Sequence, residues 1–190
     1  AEGTPVAVQN LYVTGLVPNG DGFYAEAGNG SPFTGVYVFT GGNPNGLAIG
    51  ALVDVQGVYV EYFGLSEISD AAVTIQQPGN GTLPFAAKIL PAADIATSGA
   101  QAEPHESMLV HIEDVSITQQ NADQGMGDYD EFVVTGNLRV DDGLFDLMGN
   151  DCPLGSLFAD ITGVLGYSFS NFKLLPRGAF DFGQSQCDPY

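Results

Sequence analysis

Apolar and polar residues alternate along much of the first half of the chain, with the period of two that indicates half-buried β-strands. This pattern predicts strands at 6–17, 23–25, 36–39, 52–62 and 65–68. Asn19-Gly20-Asp21-Gly22 is a strong hairpin signal because its residues accept positive φ. Gly57 interrupts the fourth segment and predicts a bulge or bend. Several short strands without an amphipathic helix between them predict a small barrel or sandwich.

The second half of the chain repeats this pattern. Residues 6–14 align with 110–118, and 54–58 align with 160–164, so Gly57 corresponds to Gly163. The remaining strands of the second copy are predicted at 131–134, 138–140 and 172–175. The chain is therefore expected to contain two copies of one five-stranded unit.

A connector separates the two copies. We place the first unit at 1–77, the connector at 78–107 and the second unit at 108–190. A short helix is predicted at 91–96, where Pro91 supplies the first turn and Gly99 follows the end. This content favours a packed connector over a flexible linker.

The chain resembles the tandem OB-fold domains that accompany secreted bacterial nucleases and cell-surface proteins. The residues that carry the resemblance cover nearly the whole chain and lie at 22–24, 35–38, 50–57, 61–68, 103–110, 163–167 and 174–177. The resemblance implies an all-β fold with two tandem five-stranded OB-like barrels. It also implies a binding face, because OB-like barrels bind oligonucleotides or oligosaccharides.

Composition narrows the possible partners. The formal net charge is −19, and 44% of the residues are hydrophobic, which argues against a disordered acidic tail. The only cations are Lys88, Arg139, Lys173 and Arg177, too few and too scattered for a nucleic-acid groove. The sequence has no run of eighteen apolar residues, so we expect no membrane insertion.

The two cysteines, Cys152 and Cys187, predict a structural disulfide and hence an oxidising compartment. The alternative is a pair of free buried thiols. The start at Ala1, without an apolar signal core, is typical of a mature secreted chain after signal-peptide removal. Asn29 and Asn80 begin Asn-x-Ser/Thr tripeptides and are candidate glycosylation sites, although such tripeptides also arise by chance.

No catalytic motif is present in the sequence, and we expect no enzyme activity. His105 lies between Glu103 and Glu106, which predicts an ion-paired surface residue. His111 is predicted on the outward face of a strand. Neither histidine has a nucleophile beside it in the sequence that would indicate a triad.

One cluster of acidic residues predicts a calcium site. Carboxylates on a glycine-bearing loop are the oxygen ligands that Ca²⁺ prefers. The predicted ligands are Asp123, Asp128, Asp130, Glu131, Asp141 and Asp142. The alternative is a solvated acidic loop.

These features predict a secreted, non-catalytic structural module that assembles with copies of itself, as a subunit of a filament or surface layer. The apolar segment 4–13 is predicted to pair with an open barrel edge of a neighbouring copy. The alternative is that this strand pairs only within its own barrel. A carbohydrate-binding module is the second functional hypothesis, and single-stranded nucleic-acid binding is the third.

Overall fold

The computed structural model describes residues 2–123, 127, 129–147 and 152–190. The predicted fold class is confirmed, because the protein is nearly all β and forms two closed five-stranded barrels. The first barrel contains β1 (Thr4–Leu16), β2 (Gly22–Glu26), β3 (Gly35–Phe39), β4 (Leu52–Tyr62) and β5 (Leu65–Gln77). Its strand order is β1-β2-β3-β5-β4, and β4 pairs with β1 to close the barrel. All pairs are antiparallel except β3 with β5.

The connector contributes β6 (Lys88–Ile89), helix α1 (Ala92–Ile95) and a 3-10 turn (Glu103–His105). The second barrel contains β7 (Leu109–Gln119), β8 (Phe132–Val134), β9 (Leu138–Val140), β10 (Leu157–Ser168) and β11 (Asn171–Leu175). Its order, β7-β8-β9-β11-β10, repeats that of the first barrel, and β10 pairs with β7. The connector strand β6 adds to this sheet beside β7.

The register of the two barrels agrees with the sequence repeat. Val6 pairs with Gly57 in the first barrel, and Val110 pairs with Gly163 in the second. Both glycines are needed for space. A Cβ on Gly57 would lie 2.6 Å from the Ser69 carbonyl oxygen, and a Cβ on Gly163 would lie 2.7 Å from that of Leu175. Each glycine thus permits a neighbouring strand to approach closely.

One strand is longer than its sequence pattern predicted. The expected fifth strand ended at Ile68, whereas β5 continues to Gln77. Asp70, with φ of 51°, marks an irregularity, after which half-buried Val73 and Ile75 resume the alternation. Small residues at 71–72 obscured this continuation, because they carry little hydrophobic signal.

The predicted disulfide between Cys152 and Cys187 is present, with Cα atoms 5.6 Å apart. It fixes the C-terminal tail, which forms bridges to β10 at Phe158 with Ser185 and at Ile161 with Phe182. The tail therefore covers β10 in the position that the second half of β5 takes beside β4. Among the described residues, no helix has the length and apolar composition needed to cross a membrane.

A separate apolar cluster joins the two barrels. Buried Tyr24 of β2 packs with Leu109, Val164 and Leu175 of the second barrel. The cluster lies apart from the cores inside the barrels. The two units are therefore packed against each other directly, and residues of both barrels line the space between them.

Candidate binding groove and open strand edges

A groove of about 1000 Å³ lies between the two barrels. Strands β2, β3 and β5 of the first barrel line one side, and β10, β11 and the loop after β9 line the other. Its aromatic lining consists of Tyr24, Tyr37, Phe39, Tyr62, Phe63, Tyr167 and Phe169. We call this cavity the inter-barrel groove.

Two equivalent hairpin turns carry the most exposed rings of the groove. Phe63 lies in the β4–β5 turn and is 85% exposed, and Phe169 lies in the β10–β11 turn and is 90% exposed. Both have positive φ, at 50° and 47°. The turns are adjacent, since a Cβ on Gly64 would lie 2.7 Å from the Tyr167 ring. Large apolar side chains in a strained, solvent-facing position are typical of binding surfaces.

Polar groups occupy the floor of the groove. Glu67 is 4% exposed and accepts a hydrogen bond from the Ser69 hydroxyl. Burial and, to a smaller extent, the negative charges of Glu67 and Asp21 together raise the pKa of Tyr37 to about 12, so its hydroxyl stays protonated at neutral pH. Lys173 lies 2.7 Å from Asp141 and 5.5 Å from the centre of the Phe169 ring.

Three of the six predicted calcium ligands, Asp123, Glu131 and Asp141, form ion pairs with Arg139 or Lys173. Arg139 donates to Glu131 at 2.8 Å and to Asp123 at 3.2 Å. Buried Lys173 donates to Glu131 and to Asp141. Glu131 therefore joins the two cations, and the network ties β9 and β11 to the loop before β8.

The other predicted ligands are placed differently. Burial raises the pKa of Asp142, and the neighbouring charges of Asp130, Asp146 and Glu131 raise it further. Asp142 and Asp130 are thus close enough to repel each other. Asp128 lies outside the described residues. No group of three or more metal-ligating side chains is found within the part of the chain that the structure describes. Calcium binding stays a prediction.

The first barrel has two strand edges without a strand partner among the described residues. β1 pairs with β2 only from Tyr12 onward, so residues 4–11 pair with β4 alone. β5 pairs with β3 only at Glu67 and Ile68, so residues 69–77 pair with β4 alone. We call these two segments the β1 edge and the β5 edge. They lie on opposite sides of β4, and the ladder stays open there.

The second barrel covers the equivalent edge with its own connector. β6 lies parallel to β7, with Lys88 beside Val110 and Ile89 beside His111. The Leu90 N–H extends the ladder with a 3.0 Å hydrogen bond to the His111 carbonyl. Val110 corresponds to Val6 of the β1 edge, since each faces the glycine of its repeat.

Two buried carboxyl groups lie where the barrels meet. Glu26 accepts a 3.1 Å hydrogen bond from the Leu109 N–H, and Glu106 accepts a 2.8 Å bond from the Ser66 N–H. Burial raises the pKa of each to about 7, although these hydrogen bonds act in the opposite direction. The Glu26 bond joins the first barrel to the second, and the Glu106 bond joins the connector to the first barrel. The protonation of these two groups is therefore coupled to the contact between the units.

The predicted surface position of His105 is wrong. Its side chain is 1% exposed, and its Nδ1–H donates to the Gln101 carbonyl at 3.0 Å. His111 is half-buried on β7, 2.8 Å from the Thr162 hydroxyl and 3.8 Å from Glu113. The glycosylation candidates Asn29 and Asn80 are exposed, and each side chain accepts a backbone hydrogen bond two residues ahead.

The inter-barrel groove was not predicted from the sequence. Its lining extends from Val17 to Leu175, and only the packing of the two barrels brings these residues together. A local signal was present in Tyr62-Phe63-Gly64, because a turn usually contains polar residues rather than an aromatic pair. No family model, curated protein or solved structure matches this chain.

Proposed function

We propose that this protein is a secreted, non-catalytic structural module that assembles head to tail through the β1 edge and the β5 edge. The observation that carries the proposal is the difference between the two barrels. The second barrel covers its β7 edge with a strand, whereas the corresponding β1 edge is open. An open edge with unpaired backbone groups is a template for a strand from another chain.

The composition of the two edges supports this role. Natural sheets protect their edges with charged side chains, yet residues 4–11 contain no Asp, Glu, Lys or Arg, and residues 69–77 contain only Asp70. This near-neutrality is unusual on a protein with a net charge of −19. Two copies can approach through these segments without placing like charges in direct contact. Pro5 has no N–H to donate to a partner strand, so we place the proposed contact at residues 6–11 of the β1 edge.

The position of the edges favours a chain of subunits. In the first barrel, β1 and β5 flank β4, so one subunit presents a different edge on each side. Pairing β1 of one copy with β5 of the next extends the sheet from subunit to subunit. Such a heterologous contact produces a filament unless its rotation closes a ring.

Extracellular location is the second part of the proposal. The disulfide between Cys152 and Cys187 supports it, because such bonds persist in oxidising compartments. A fixed C-terminal tail also suits a structural protein outside the cell, where reducing systems and chaperones are absent. The OB-fold relationship inferred from the sequence belongs to the same proposal.

Sedimentation velocity and negative-stain electron microscopy test the assembly. We expect wild-type protein to form species larger than the 19.8 kDa chain. Ala7→Lys, on the exposed face of the β1 edge, should reduce them, because an edge lysine opposes strand pairing. Ala159→Lys is the matched control, since it is also exposed but lies on β10, which is paired on both sides. Wild-type protein that stays at the mass of one chain would contradict the proposal.

A further inference from the structure

We propose that the inter-barrel groove binds a neutral oligosaccharide. The site is separate from most of the assembly surface, because Ser69 is the only residue of the β1 edge and the β5 edge that lines the groove.

The rings supply flat apolar surfaces. Phe63, Phe169 and Tyr62 are 85%, 90% and 60% exposed, an arrangement that leaves apolar area in water. Tyr62 and Phe63 support each other edge to face, with centroids 4.9 Å apart. The flat C–H faces of a pyranose ring match such surfaces in size and polarity. Burial of aromatic area is a strong contribution to binding in a pocket.

The floor of the groove contains hydrogen-bonding groups, and an apolar ligand would offer these groups no hydrogen bonds. Asp21 and Asp141 are acceptors, the Tyr37 hydroxyl is a donor, and the Ser69 hydroxyl, which donates to Glu67, can accept. A ligand with many hydroxyl groups fits this mixture, because each hydroxyl both donates and accepts. An apolar peptide would instead cover the exposed carboxylate of Asp21 and the half-buried hydroxyl of Ser69 without offering them hydrogen-bond partners.

Charge selects a neutral ligand over an anionic one. Asp21, Glu67 and Asp141 line the groove against the single cation Lys173, which Asp141 already neutralises. The remaining field is negative and disfavours polyuronates and nucleic acids. The volume of about 1000 Å³ is at the upper end for small-molecule pockets, and the open shape suits several linked sugar rings.

Isothermal titration calorimetry with cellohexaose, chitohexaose and hexagalacturonate tests the inference. We expect at least one of the two neutral hexasaccharides to bind and hexagalacturonate to bind at least tenfold more weakly. The double variant Phe63→Ala/Phe169→Ala should lose at least tenfold in affinity. Phe33→Ala is the matched control, since Phe33 is 73% exposed with φ of 61° but lies outside the groove.

Three results would overturn the inference. The first is no binding of either neutral hexasaccharide at millimolar concentration. The second is equal binding of hexagalacturonate, and the third is an equal loss in Phe33→Ala. If neither neutral hexasaccharide binds wild type and the double variant sediments at a lower mass than wild type, the groove holds a second copy of the chain instead of a sugar. Assembly through the strand edges can fail without changing any of these titrations, so the two proposals are tested separately.

Discussion

Lys88 lies beside Val110 in a parallel pair, and this contact covers the edge of β7 in the second barrel. The same edge of the first barrel, at Val6, has no strand beside it among the described residues. The two barrels share one strand order, so the difference between them is the connector strand β6, which lies beside β7 of the second barrel and has no counterpart beside β1. The structure thus contains both a covered and an open form of one edge.

The buried carboxyl groups at the joint predict a pH-dependent stability. Burial raises the pKa of Glu26 and of Glu106 from 4.5 to about 7. Between these two pKa values the folded protein binds protons more tightly than the unfolded chain. The contribution of the two groups to the free energy of unfolding is therefore fully present below about pH 4.5 and is lost as the pH rises through 7. We expect the free energy of unfolding to be lower at pH 8 than at pH 5.5.

Urea unfolding of wild type and of Glu26→Gln/Glu106→Gln at several pH values measures this dependence. Glutamine keeps an acceptor for the Leu109 and Ser66 N–H groups and removes the titration. The double variant should therefore have a flatter profile. An unchanged slope would assign the pH dependence to other carboxylates.

The repeat glycines predict a matched pair of destabilising variants. Gly57→Val and Gly163→Val place a side chain within 2.7 Å of atoms on the neighbouring strand. Each should lower the free energy of unfolding by roughly 1–3 kcal/mol, the range for overpacked interiors. Ala159→Val, at an exposed position of β10, should stay within about 0.5 kcal/mol of wild type. Chemical denaturation of the three variants measures these changes in the free energy of unfolding. If a valine at Gly57 or Gly163 changes it no more than the Ala159→Val control does, the close approach of the neighbouring strand does not require glycine in that barrel.

The disulfide predicts sensitivity to reduction. The bond closes a sequence separation of 35 residues, for which the chain-entropy model gives about 3–4 kcal/mol. At about 2–4 °C per kcal/mol, the melting temperature should fall by roughly 10 °C in reductant. A scan of Cys152→Ala/Cys187→Ala should show a low melting temperature that reductant does not change. Equal melting of oxidised and reduced wild type would contradict the stabilising role.

The acidic cluster predicts a specific response to calcium. If Asp130 and Asp142 hold Ca²⁺ together, the ion relieves their mutual repulsion, and a hundredfold excess over the Kd stabilises by about 2.7 kcal/mol. Thermal melts in Ca²⁺, in Mg²⁺ and in NaCl of matched ionic strength measure this. The shift in Ca²⁺ should exceed the others and disappear in Asp130→Asn/Asp142→Asn. Equal shifts in the three salts would indicate a solvated acidic loop.

Local pattern predicted much of the fold because strand alternation and turn chemistry are local properties. Gly57 and Gly163 could be matched in the sequence, and the structure places each beside the equivalent valine. The burial of His105 could not be inferred in this way. Its charged neighbours indicated the surface, but the 3-10 turn directs the ring inward to the Gln101 carbonyl.

The site was less predictable than the fold. The acidic residues were visible, and Arg139 is only 8 residues from Glu131 in sequence, but Lys173 is 42 residues from Glu131, and only the barrel brings these two together. The sequence predicted that segment 4–13 pairs either with a neighbouring copy or only within its own barrel, and it did not predict the β5 edge, because the alternation ends the fifth strand at Ile68. The groove needs the relative position of both barrels, which no segment of the sequence encodes alone.

A mixing experiment tests the head-to-tail assembly most directly. Ala7→Lys blocks the β1 edge, and Thr74→Lys blocks the β5 edge; both residues are exposed. Each variant alone should stay at 19.8 kDa in sedimentation velocity. An equal mixture should form a dimer of twice that mass and nothing larger, because one intact β1 edge meets one intact β5 edge. Dimers of either variant alone, or a mixture that stays monomeric while wild type assembles, would contradict the proposed contact.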